Sequence, residues 1–160
     1  KAYKKLLFLR RQLRHANSDV RQLAYMCYVR PLLEYASTVW DPYRKCHESQ
    51  IERIQNLALR FIFSRYERTE SVSSMRQEAQ LDSLAKRRKI SRLKELFSIT
   101  TGMTKLDPQL YLRPSTSRSQ RTSNVRAIAP YQYKNYVFKY SFFCRTIVEW
   151  NALPNEVVSC

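Results

Sequence analysis

Nucleotidyl or phosphoryl chemistry by two bound metal ions needs carboxylates close enough to bridge both ions. None of the 13 acidic residues in this sequence is adjacent to another or separated from one by a single residue, so no such centre is expected. Glu48 with Glu52 and Glu78 with Asp82 stand four residues apart among lysines and arginines. That is the spacing of solvated ion-pair partners on a helix. His15 and His47 are the only histidines, too few for a histidine-rich metal site or a histidine-based catalytic network. Cys46 and His47 are sequence neighbours, which point roughly 100° apart on a helix and would need a third group to make a reactive pair. Cys27, Cys46, Cys144 and Cys160 contain no C-x-x-C pair, so neither a zinc ribbon nor a redox motif is indicated, and Cys27 and Cys144 are expected as small core residues. Gly102 is the only glycine, which excludes the glycine-dependent phosphate loops of nucleotide-binding folds. No catalytic residue, no metal ligand and no cofactor is expected in this chain.

The cations are the informative residues. Lysine and arginine number 29 against 13 acids, a formal net charge of +16, far beyond what solubility requires, and a polyanionic partner is the natural reading. Lys86, Arg87, Arg88, Lys89, Arg92 and Lys94 crowd one stretch whose apolar residues keep helical spacing. The expected result is a cationic face on a rigid support, suited to a phosphate backbone. A second signal lies downstream, where no acid occurs from Pro108 to Val148 while Arg118, Arg121 and Arg126 share the segment with Tyr111, Tyr131, Tyr133, Tyr136 and Tyr140. Cations interleaved with aromatic rings make up the surfaces that bind single strands and loops. The nucleic-acid-binding residues expected here are Lys86, Arg87, Arg88, Lys89, Arg92, Arg118, Arg121 and Arg126.

The elements that must position these residues are mostly helices. Leu6, Leu9 and Leu13 make one apolar face of a first helix, with Arg10, Arg11 and Arg14 on the remainder, and Asn17 or Ser18 caps a second helix that forms a hairpin with it. Val20, Leu23, Ala24, Cys27 and Tyr28 supply the second helix with an apolar stripe, and Pro31 kinks the chain near Arg30. Ile51, Ile54, Ala58, Phe61 and Ile62 mark a third helix, followed by a short turn around 72–78 and a longer helix over about 82–101. Gly102 fits the stop of that longer helix. From Asp107 onward, Pro108, Pro114 and Pro130 and a Ser/Thr/Arg stretch change the character of the chain, which sets an expected boundary between residues 1–106 and 107–160. Short strands are expected over 125–129 and 136–140, then a helix capped by Ser141 with Phe143, Ile147 and Trp150 on one face.

Four strings carry a family resemblance. VRPLLEYASTVWDPY (29–43), IERIQNLALRFIFSRY (51–66), KRRKISRLKEL (86–96) and VFKYSFFCRTIVEWNALP (137–154) resemble, in order and spacing, the region after the palm in non-LTR retrotransposon reverse transcriptases, especially the jockey-like elements of arthropods. The resemblance implies a mainly α fold: a helical thumb-like bundle over 1–106, followed by a small, irregular α+β segment over 107–160 that ends in a helix. It implies a non-catalytic region that grips an RNA template and DNA primer, with the remainder of the parent polymerase as a further partner. Magnesium is implied only for the missing palm. The paired catalytic aspartates, the endonuclease domain and the C-terminal Cys/His knuckle of related elements have no counterpart here.

The absence of Met at position 1, helical patterning from the first residues and an apolar stretch just before Cys160 lead us to expect a fragment of a longer protein. No apolar run approaches the ~18 residues of a membrane span and no secretory pattern is present. The expected setting is therefore intracellular, nuclear when chromosomal DNA is the target, with no membrane and no small-molecule substrate as partner. Two other readings stay open: a stand-alone basic RNA-binding module, and a structural helical remnant of a decayed element.

Overall fold

The computed structural model describes residues 1–115 and 126–158. The protein is mainly α-helical and divides into two compact units, Lys1–Arg88 and Lys89–Cys160.

The first unit begins with α1 (Ala2–Gln12), whose Leu6 and Leu9 are buried. A tight turn leads to α2 (Ser18–Tyr28), where the Asn17 side chain caps the helix by accepting from the Val20 amide at 2.9 Å. Helix α2 buries a different face from the one its apolar spacing suggests. Arg21, Ala24 and Tyr25 point inward, while Val20, Leu23, Cys27 and Tyr28 are exposed. The reason is that the polar groups of the buried face find partners: the Tyr25 hydroxyl donates to Gln55 Oε1 at 3.0 Å, and Arg21 is held by main-chain carbonyls described below. Cys27 is therefore a surface thiol rather than a core residue, whereas Cys144 is buried.

Pro31 sits in the first turn of α3 (Arg30–Glu34), where its missing N–H costs nothing, and the chain bends there as expected. A single turn, α4 (Ser37–Trp40), leads to α5 (Lys45–Phe63). The stripe of α5 behaves as its spacing predicts, with Ala58, Leu59, Phe61 and Ile62 buried and Ile51 and Ile54 packed at the margin. Helix α6 (Val72–Glu78), capped by Ser71, adds Met75. The core of this unit thus joins Leu6 and Leu9 to Tyr25, Val29, Leu33, Leu59, Ile62, Met75 and Leu84. Among the described residues, left-handed corners fall on Ala36, Ser64 and Gln80, each at a cost of roughly 1 kcal/mol.

Helix α7 (Leu84–Thr100) runs through the division between the units, upstream of the proline-rich onset at Asp107 where composition places the boundary. Its first residue, Leu84, belongs to the first core and Leu96 to the second. It stops at Gly102, whose φ of 70° suits a residue without a Cβ, with the Met103 amide donating back to the Ser98 carbonyl at 2.9 Å.

In the second unit a short turn, α8 (Pro108–Tyr111), is capped by Asp107. Residues 136–139 form a helical turn, α9 (Tyr136–Lys139), instead of a strand. Among the described residues one antiparallel bridge, Pro114 with Ile128, is the extent of the extended pairing. Asn151 bonds the main chain of Ile128. Its side-chain amide accepts from the Ile128 amide at 3.0 Å and donates to the Ile128 carbonyl at 2.7 Å, satisfying both polar groups of that residue. Helix α10 (Phe142–Asn151) buries Cys144, Thr146, Ile147 and Trp150, the Trp150 indole donating to the Arg126 carbonyl at 3.0 Å. Helix α11 (Asn155–Val158) closes the unit with Val158.

Candidate nucleic-acid interface

Helix α7 leaves Lys86, Lys89 and Lys94 exposed but pairs its three arginines with acids. Arg88 is 1% exposed and is held by Asp41, with Nε donating to Oδ1 at 2.6 Å, and lies 3.7 Å from Glu48. Arg92 is 2% exposed and meets both oxygens of Glu149 at 2.8 and 2.9 Å. Arg87 makes a two-pronged pair with Glu34 through Nε and Nη2. Burial pulls the Arg88 and Arg92 guanidinium groups down from their ordinary range against the opposing pull of their acids, while the hydrogen bond to Glu34 holds Arg87 up. All three remain charged at neutral pH, but their charge is neutralised inside the fold. The Arg88 and Arg92 pairs are buried because the 3.6-residue turn carries 88 and 92 inward together, while the Arg87 pair is only partly buried.

Of the other expected residues, Lys86 is exposed and bonded to Asp82 at 2.7 Å. Lys89 is exposed. Arg126 is exposed at the start of the second described segment, and Arg118 and Arg121 lie outside the described residues.

In the first unit a cleft of about 900 Å³ is lined by Lys4, Leu7, Arg10, Arg11, Arg14, Arg21, Phe61, Ser64 and Tyr66. Its floor is Arg21, 9% exposed. Its guanidinium donates to the carbonyls of Leu13 at 3.2 Å and Arg14 at 2.8 Å at the end of α1, and to those of Phe61 at 3.1 Å and Ile62 at 3.4 Å at the end of α5. It also donates to the Ser64 hydroxyl. One side chain thus caps carbonyls at both helix ends, two of which also accept from the Ala16 and Ser64 amides, and sits where both helix dipoles are negative. A positive charge is stable there without a carboxylate.

The rim is what a ligand would meet. Lys4, Leu7 and Arg11 recur at three- and four-residue spacing, so they share the side of α1 away from Leu6 and Leu9, and Arg14 follows in the turn after the helix. The row from Lys4 to Arg11 is roughly 10 Å long at 1.5 Å per residue. Arg10 lies over the Tyr66 ring at 4.4 Å, a contact that positions the guanidinium without removing its charge. No carboxylate lines the cleft, and among the described residues none of Lys4, Arg10, Arg11, Arg14 and Arg21 forms an ion pair with an acid. The sequence does hold a signal for this site: six basic residues and no acid precede Asp19.

No three His, Cys, Asp or Glu side chains converge among the described residues, and none of the described helices is long and apolar enough to cross a membrane. The chain matches no family model, no curated protein and no solved structure.

Proposed function

We propose that this chain is a non-catalytic, thumb-like region of a retrotransposon RNA-directed DNA polymerase that grips the sugar-phosphate backbone of an RNA template and DNA primer. The observation that carries the grip is the acid-free cleft between α1 and the end of α5, where four rim cations surround a buried, carboxylate-independent Arg21. Rim cations with room between them attract phosphates by charge and by release of counterions, with no demand on base sequence. The retrotransposon assignment is supported by the four resembling strings, including VRPLLEYASTVWDPY over 29–43 and VFKYSFFCRTIVEWNALP over 137–154, and by the mainly helical fold that a thumb requires.

In this reading nucleotide transfer, and the magnesium it uses, belong to the remainder of the parent polymerase. The region acts in the nucleus when chromosomal DNA is the primer, and it takes no small-molecule substrate.

The test is a filter-binding titration of the chain with a duplex across a range of salt. Four or five engaged phosphates give a log–log slope of about −4 on B-DNA, from about −0.9 per contact. A slope near zero would remove the electrostatic basis of the reading.

A further inference from the structure

The second unit carries a surface of different chemistry. Lys139 Nζ lies 5.5 Å from the ring centroid of Tyr133 and 5.7 Å from those of Tyr136 and Tyr140, so three rings gather around one ammonium. Tyr136 and Tyr140 meet edge to face at a centroid separation of 5.2 Å, and Phe138 packs edge-on against Tyr131. The cluster is therefore fixed by ring–ring contacts on α9 and on the chain before it. Yet Tyr136 is 66% and Tyr133 49% exposed, so much of each ring faces solvent although burying it would be favourable.

Charge narrows what could cover these rings. No acid occurs between Pro108 and Val148, and the next one, Glu149, is held by Arg92 and lies near Arg145. Lys139 thus has ring faces and no carboxylate beside it among the described residues. Because the chain's own ammonium fills the space among the rings, the cluster is not an empty cage for a foreign cation. What it offers outward is aromatic faces beside an unneutralised positive charge. An unpaired nucleotide strand matches both: its bases stack on rings whatever their identity, and its phosphates meet the cation. A duplex keeps its base faces inside its own stack and cannot use the rings.

We propose that Tyr133, Tyr136 and Lys139 form a stacking platform for the unpaired nucleotides of a single strand, without base preference. The platform is distinct from the cleft of the first unit and stands or falls separately from it.

The experiment measures fluorescence anisotropy of the full chain with two labelled probes, a thymidine oligonucleotide and a duplex of equal length. Replacing Tyr133 and Tyr136 together by Ala should weaken binding of the single strand by at least about 30-fold, the low end for two lost stacking contacts, and leave the duplex within about twofold. Replacing both by Phe keeps the ring faces and should leave both probes within about twofold. Lys139→Gln should reduce the single-strand salt slope by about 0.7. If the Ala and Phe pairs bind the oligonucleotide equally, or if the Ala pair weakens the duplex as much as the single strand, the platform does not exist. A failure of the cleft would appear instead as weak duplex binding with all tyrosines intact.

Discussion

Two helices of this protein have similar basic content and opposite uses for it. Helix α7 carries Lys86, Arg87, Arg88, Lys89, Arg92 and Lys94, and its three arginines pair with Glu34, Asp41 and Glu149. Helix α1 and the turn after it carry Lys4, Lys5, Arg10, Arg11 and Arg14, with no carboxylate partner among the described residues. The difference lies in the geometry of burial, not in charge density. Acids held in place by the fold, one on α3, one just beyond α4 and one on α10, draw the α7 arginines inward. No acid reaches the cleft side of α1, where the buried position is taken by Arg21 with backbone carbonyls as partners. A run of cations is a binding surface only where the fold withholds their counterions.

The largest effect that could sharpen this contrast is on stability. Arg88→Ala leaves Asp41, whose side chain is 5% exposed, without its buried cation, and should cost about 3–5 kcal/mol in a urea unfolding titration. A loss under about 1 kcal/mol would mean that Arg88 is not a structural ion pair. Arg87→Gln breaks a pair that is only partly buried, so the expected cost in the same titration is about 0.5–1 kcal/mol. Equal costs for the two variants would erase the distinction between buried and surface pairs on this helix.

The fold was legible where apolar spacing alone decides burial. Ile51, Ile54, Ala58, Phe61 and Ile62 place α5 correctly, Asn17 and Ser141 stand at helix starts, and Gly102 marks the end of α7. It was not legible where buried polar groups decide. The inward face of α2 is set by Arg21 and Tyr25, whose partners lie on α1 and α5, and no local pattern reveals carbonyls forty residues away. In place of the strand expected at 136–140 stands the helical turn α9. The candidate site was half legible. The basic composition pointed to a polyanion, but the pairing of Arg87, Arg88 and Arg92 with acids could not be read from it, because local density does not report which acids the fold delivers.

The comparison between the two helices is tested most directly by moving the same number of charges from each. Arg10→Gln, Arg11→Gln and Arg14→Gln in one variant, and Lys86→Gln, Lys89→Gln and Lys94→Gln in another, both change exposed residues, so each should stay within about 0.5 kcal/mol per substitution of the parent in stability. In a duplex titration across salt, the α1 variant should lose about 2.7 from the log–log slope, three contacts at about 0.9 each, and the α7 variant should keep its slope within about 0.5 of the parent. If instead the α1 variant keeps the parental slope and the α7 variant loses it, the phosphate grip lies on α7 and the cleft is not the binding site.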